Sequence, residues 1–245
     1  MNKQSPTAAM IVIGNEILSG RTQDKNINYI AKGLGDAGIR FLEVRVVPDI
    51  EQTIIDTVNE LREKFTYVFT TGGIGPTHDD ITSESIAKAF GVSLIRHEKS
   101  FEKLDEYYKG ELNEGRIKMV MLPDGAVPIE NPISVAPGFY IENVYVMAGI
   151  PNVMQAMFDS VKAGLKKGEK IISREMKFFT SESKIAKPLS DIQDRNPDID
   201  IGSYPFVEDN KIGTSLVMRG TDSDKIDELY IEMEEIMSGL GEKAQ

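Results

Sequence analysis

The stretch Thr70-Thr71-Gly72-Gly73-Ile74-Gly75-Pro76-Thr77-His78-Asp79-Asp80-Ile81-Thr82 carries the densest chemistry in the chain. Its three glycines let the backbone approach a ligand and take positive φ. Consecutive amides in such a loop form an anion-binding nest. A helix starting just beyond adds about half a positive charge at its N-terminus. Thr71, Thr77 and Thr82 contribute hydroxyls. Asp79 and Asp80 stand against this, because carboxylates repel a phosphate. A divalent cation between acid and phosphate removes the conflict, since Mg²⁺ takes both kinds of oxygen. The acid pair then reads as a metal clamp, or as one ligand and one base for water. The plainer alternative is a tight turn with Asp80 or Thr82 capping the next helix and Asp79 as a solvated charge. The loop is long for a turn and joins acids to phosphate-type donors, so a site is the preferred reading. His78, alone in a loop, reads as a solvent-facing side chain.

Other chemistries are excluded by composition. The 245 residues include no cysteine and two histidines, His78 and His97. Disulfide scaffolds, thiolate metal sites and cysteine nucleophiles are therefore out. With 28 basic against 39 acidic residues the net charge is −11, which argues against a nucleic-acid binder. No apolar run approaches the roughly 18 residues that span a bilayer, and no signal-like segment opens the chain. A soluble, cytoplasmic protein without a membrane partner is expected. Gly33-Leu34-Gly35-Asp36-Ala37-Gly38 matches G-x-G-x-x-G, but it follows a helical pattern and precedes a strand, the reverse of a dinucleotide fingerprint. It reads as a helix C-terminus. There is no P-loop and no nucleophile elbow.

The elements that must position the loop alternate in type. Ala8–Ile13, Phe41–Val47 and Tyr67–Thr71 read as buried strands. Asn26–Leu34 is helical. Ile50, Ile54, Val58, Leu61 and Phe65 repeat at helical spacing and predict one apolar face. Ile81–Phe90 is helical up to Gly91. Three strand–helix alternations imply right-handed crossovers and a mainly parallel sheet, and ligands bind at the carboxyl ends of such strands. Glu16, after the first strand, and Asp49, after the second, are candidates to converge on Asp80. Asp49 taken alone reads more readily as a helix cap. Glu98–Lys109 predicts a charged helix with Phe101, Leu104 and Tyr108 inward. Val144–Met147 predicts a strand. Pro151 opens a helix, where proline suits the first turn, and Met154 and Met157 there are core. Beyond a polar stretch at Lys166–Glu169 the pattern becomes β-α-β-β-α: a strand over Ile171–Phe179, a helix over Glu182–Asp194, strands over Ile199–Tyr204 and Ile212–Met218 joined by a turn at Glu208–Lys211, and a final helix. The expected domains are 1–167, α/β in three layers, and 168–245, small and α+β.

Several segments together resemble the molybdopterin-binding domain found in MogA, MoaB, gephyrin, CinA and eukaryotic FAD synthase. Thr71 to Thr82 looks like its signature. Gly14-Asn15-Glu16 through Asn26 is similar to the first loop of the CinA and FAD-synthase branch. Val46-Val47-Pro48-Asp49, Ala136-Pro137-Gly138-Phe139 and Ala148-Gly149-Ile150-Pro151 resemble further segments of that branch, and residues 171–236 resemble CinA's small second domain. The chain departs from the pattern at Ala148, at Ile133-Ser134-Val135 and at Phe178-Phe179-Thr180-Ser181-Glu182-Ser183. The resemblance implies a MogA/MoaB-like fold. It implies catalytic roles for Asp49 and Asp80, a metal held by Asp49, Asp79 and Asp80, and a phosphate or pyrophosphate held by Thr71, Gly72, Gly73, Gly75, Thr77, Thr82 and Glu16. The implied metal is Mg²⁺, Mn²⁺ or Co²⁺, with molybdopterin as an alternative ligand. The implied activity is hydrolysis of nucleotide diphosphates such as ADP-ribose or FAD. Molybdopterin adenylylation and non-catalytic binding of a pterin phosphate or nucleotide are the alternatives. A homo-oligomer, dimer or trimer, is implied. The second domain, acidic and without a GXXG loop, implies no nucleic-acid partner.

Overall fold

The structure, a computed structural model, describes residues 5–239. It divides into two units that meet in sequence at Gly168 and Glu169. The first unit runs β1 (Thr7–Ile13), α1 (Asn15–Leu18), α2 (Asn26–Asp36), β2 (Arg40–Val47), α3 (Glu51–Lys64), β3 (Tyr67–Thr71), α4 (Thr82–Phe90), β4 (Leu94–Arg96), α5 (Glu98–Tyr107), α6 (Glu114–Lys118), β5 (Met121–Pro123), β6 (Val127–Ile129), β7 (Gly138–Ile141), β8 (Val144–Met147) and α7 (Pro151–Lys162). Six strands form the main sheet in the order β2-β1-β3-β8-β7-β6. The first four are mutually parallel, and β7 and β6 close the far side antiparallel. Parallel neighbours need crossovers, and α2 and α3 supply two of them.

Burial explains the three layers. β1 is apolar on both faces because it lies inside the sheet. Ala9, Ile11 and Ile13 pack with Ile54, Val58 and Leu61 of α3 and Ile86 of α4. Ala8, Met10 and Val12 pack with Ile30 and Leu34 of α2 and Met154, Met157 and Phe158 of α7. The expected row along α3 holds from Ile54 onward. Ile50 leaves it, because it is the N-cap of α3 and 54% exposed. Of the three residues expected inward near α5, Leu104 is buried. Phe101 and Tyr108 are half-buried instead, each under a guanidinium, Arg96 at 4.2 Å and Arg116 at 3.8 Å from the ring centre. A cation over an aromatic face gains without full desolvation of either group.

The second unit runs β9 (Ile172–Phe178), α8 (Glu182–Arg195), β10 (Asp200–Glu208), β11 (Lys211–Gly220) and α9 (Ser223–Gly239). Its sheet is antiparallel in the order β10-β11-β9. Asp209 and Asn210 have φ of 49° and 58° and join Glu208 to its partner Lys211. Two left-handed residues between paired strands are the hairpin turn whose twist matches the strands. β10 runs beyond the expected Tyr204, through Pro205, because it is an edge strand whose missing N–H interrupts no ladder. Among the described residues, no helix is long and apolar enough to cross a membrane.

Replacing Ile54 by Ala should cost about 2–5 kcal/mol, because the side chain is wholly enclosed between α3 and β1. Denaturant unfolding measures this, and a loss below about 1 kcal/mol would contradict the packing described.

Candidate functional site

The carboxyl ends of β1, β3 and β8 meet at the glycine loop. Gly72 follows β3 with φ of 101°, and a Cβ there would overlap the Ile13 carbonyl oxygen. Gly73, at φ 67°, would push a Cβ into the Thr82 hydroxyl. Glycine is therefore required twice in succession, once for the approach to β1 and once for the approach to α4. The loop is pinned at both ends. Gly72 N–H donates to the Met147 carbonyl at 3.1 Å, Thr82 N–H to the Gly73 carbonyl at 2.9 Å, and Thr82 Oγ1 to the Gly72 carbonyl at 2.9 Å. Among the described residues no acceptor takes the N–H groups of Gly73, Ile74 or Gly75. These three amides border a cavity of about 400 Å³ lined by Glu16, residues 72–77, Asp80, Met119, Asn131, Ser134, Ala148, Gly149, Ile150 and Met157, among others.

The capping alternatives are not what these residues do. The N-cap of α4 is Ile81, with no side-chain cap. Thr82 is buried and holds Gly72. Asp80 Oδ2 accepts from Thr77 N–H at 2.8 Å. The Thr77 hydroxyl lies 2.5 Å from that same oxygen and 2.6 Å from Asp79 Oδ1. It has one proton to give, so two carboxylates converge on a single donor. That hydroxyl holds the Asp79 carboxyl below its ordinary pKa. Lys118 of α6 donates to the Thr77 carbonyl at 2.6 Å and brings a cation beside both acids. His78 is fully exposed.

Glu16 and Asp49 part company. Glu16 lines the cavity, its carboxylate folded over Gly14. Asp49 does not line it. Its Oδ2 accepts from the Asn15 N–H at 2.8 Å, and α3 is capped by neither it nor any other side chain. Asp49 thus ties the end of β2 to the turn that carries Glu16. Among the described residues no three histidine, aspartate or glutamate side chains gather to hold a metal. The clamp expected of Asp49, Asp79 and Asp80 together is therefore not preformed, because Asp49 is engaged with backbone on another loop.

The roles of Asn131, Asn26 and Lys118 escaped the sequence reading. Asn131 is buried and organises residues 131–136. Its Nδ2 donates to Ser134 Oγ and the Ala136 carbonyl, and its Oδ1 accepts from the N–H groups of Ile133 and Ser134. The Asn-Pro pair at 131–132 was the available signal for that turn. Asn26 is buried as well, with Nδ2 donating to the Gly149 carbonyl at 2.9 Å and Oδ1 without a partner. The Thr70 and Thr71 hydroxyls are likewise buried and unpartnered. Lys118 gave no signal, since it sits in a charged segment like many others.

The family model described as probable molybdopterin binding domain matches residues 9–167. The chain belongs to this molybdopterin-binding domain family. A second model, FAD synthase, middle domain, matches residues 170–241. A protein from Archaeoglobus fulgidus is 35% identical over 94% of this chain and 97% of its own length. A Clostridium beijerinckii protein named as competence-damage inducible is 33% identical over 96% of this chain, which spans 60% of that protein. Among solved structures, the protein CinA with unknown function from Thermoplasma acidophilum superposes with a TM-score of 0.62 at 32% identity, over 65% of this chain and 98% of that one. The chain is thus a CinA-like member of the molybdopterin-binding domain family.

Two measurements follow from this geometry. Thr82→Val should lower stability by about 1 kcal/mol through loss of the bond to the Gly72 carbonyl, read as a fall in denaturation midpoint. Thr77→Val should let the Asp79 carboxyl titrate at higher pH. A depressed folded-state pKa stabilises above the unfolded value and is lost on acidification, so the variant should also lose less stability as pH falls through that range. Carboxyl-carbon NMR titration checks the shift, and an unchanged Asp79 midpoint would contradict the hydroxyl's role.

Proposed function

We propose that the first unit is a metal-dependent pyrophosphatase acting on nucleotide diphosphates of the ADP-ribose or FAD type. The observation that carries this reading is the run Gly73 to Gly75, whose amides have no acceptor among the described residues, lining a cavity also lined by Glu16 and Asp80. Amides without acceptors suit the oxygens of a phosphate, and the volume lies in the range of small-molecule sites. Met119, Ile150 and Met157 give the cavity an apolar side on which a ring can rest.

The donor set fits a hard divalent cation shared with substrate. Asp79 and Asp80 converge on one hydroxyl, which leaves carboxylate charge in excess of local donors. Mg²⁺ typically takes one or two carboxylates and completes its shell with water and substrate phosphates, so the lack of a three-acid cage is no obstacle. Asp79 and Asp80 would hold the metal, which would supply charge neutralisation on the diphosphate and a more acidic water. The chain's own groups would do the rest. The amides of residues 73–75 would take charge that builds on the phosphoryl oxygens, where one well-aimed donor is worth about 3–4 kcal/mol. Asp80 would accept a proton from the attacking water, and Lys118 would balance the charge of the acids. Asp49 would act as a positioning residue, by holding Asn15 and through it the turn of Glu16. Water adds to one phosphorus, the bridging oxygen leaves with the other, and two monophosphates result: AMP with ribose 5-phosphate, or AMP with FMN.

The test is turnover of ADP-ribose and FAD by the purified chain with Mg²⁺, Mn²⁺ or Co²⁺, read as AMP release. Asp80→Asn should lower kcat about 10²-fold or more, in line with loss of a general base. Asp49→Asn should act mainly on KM through the displaced turn. No AMP with any of the three metals from folded protein would sink the hydrolase reading. Adenylylated pterin formed from ATP and molybdopterin would replace it with a transferase.

A further inference from the structure

The strand at the open edge of the first unit's sheet, β2, has one uncovered face. Leu42, Val44 and Val46 are 52%, 37% and 38% exposed. On the opposite face Arg45 donates to Glu43 at 2.7 Å and to Glu60, and Lys64 donates to Glu43 at 2.7 Å. Two cations and two anions balance there. In a chain of net charge −11, this edge is locally neutral.

The backbone of β2 is also available. Arg40 N–H donates to the Pro6 carbonyl and the Val47 carbonyl accepts from Gly14 N–H. Both ends thus face β1, although they are an odd number of residues apart. The irregularity at Leu42, the extra residue between the partners of Ala8 and Ala9, accounts for this. Counting back from Val47, alternation turns Arg45 and Glu43 toward β1 and leaves the N–H and C=O groups of Val44 and Val46 pointing outward. A long edge strand with an apolar face and free backbone groups is a template for another strand.

We propose that β2 pairs antiparallel with β2 of a second copy of this chain, about a two-fold axis at Val44. A two-fold contact must be self-complementary, and this register is. It sets Val44 opposite Val44 with outward backbone groups meeting, and Leu42 opposite Val46. It sets Glu43 opposite Arg45 on the other face, twice. An axis at Glu43 or Arg45 would place like charges opposite each other, which destabilises cross-strand pairs, with inward-facing backbone at the axis. An axis between residues would set apolar side chains against charged ones. Charge complementarity and hydrogen-bond parity thus select the same register.

The experiment uses the whole chain. Light scattering after size exclusion should give twice the 27.2 kDa chain mass. Val44→Asp, which sets two carboxylates at the axis, should return the mass to that of one chain. Because the chain has no cysteine, single-cysteine variants report the register independently of any folding defect in Val44→Asp. Val44→Cys should form an intermolecular disulfide under mild oxidation, since hydrogen-bonded antiparallel partners lie about 5.5 Å apart at Cα, within disulfide reach. Val46→Cys should not, because the two copies of that residue would stand roughly 13 Å apart at about 3.3 Å per residue. A monomeric mass at every concentration, a dimer untouched by Val44→Asp, or cross-linking at Val46→Cys in place of Val44→Cys would each overturn the proposal.

Discussion

The site depends on one close approach: the backbone at Gly72 against the carbonyl of Ile13. It brings the end of β3 onto the end of β1 with no side chain between them. Thr82 and Met147 then fix the loop from α4 and β8. With those anchors in place, residues 73–75 line the cavity, and among the described residues their amides have no acceptor. Donors held in place in advance need no rearrangement when charge arrives, which is the physical basis of the proposed role.

The same geometry sets the electrostatics. Residues 73–75, whose amides have no acceptor among the described residues, line the cavity together with the carboxylates of Glu16 and Asp80, and Asp79 is joined to them through Thr77. Thr77 is the joint between them. Its single hydroxyl proton serves two carboxylates, and its carbonyl receives Lys118. Buried polar atoms without partners collect at the same strand ends, at Thr70, Thr71 and Asn26. A buried unsatisfied polar group costs about 1–3 kcal/mol; among the described residues the other such atom is the Thr180 hydroxyl of the second unit.

The edge strand raises a separate constraint. The inner strands are covered on both faces, whereas β2 is covered on the α3 side, where its charges are paired, and on the other side only toward Phe41, which packs against the α2 cluster. An edge that is apolar on one face and neutral on the other lacks the charges that usually blunt such edges. Self-pairing at β2 and ligand binding at the glycine loop rest on different residues, and either stands without the other.

Much of this protein was legible in one dimension. Strand–helix alternation, the rows of Ile54, Val58 and Leu61, the glycine loop and the Asp209–Asn210 hairpin all rest on local periodicity or on φ preferences, which neighbouring residues express directly. Ile50 and the extent of β10 past Pro205 were misjudged at element ends, where a cap or an edge position decides. What the side chains of the loop do was settled only by the fold. Asp49 taken alone read as a cap because that is its commonest local use, and Thr82 read as a hydroxyl donor to a ligand. In three dimensions Asp49 takes Asn15, 34 residues away, and Thr82 holds the Gly72 carbonyl at the other end of its own loop. Asn26 and Lys118 were invisible for the same reason, and Asn131 showed only as an Asn-Pro turn signal. A residue type announces which bonds it can make, but which atom lies opposite is set by how distant strand ends are packed side by side.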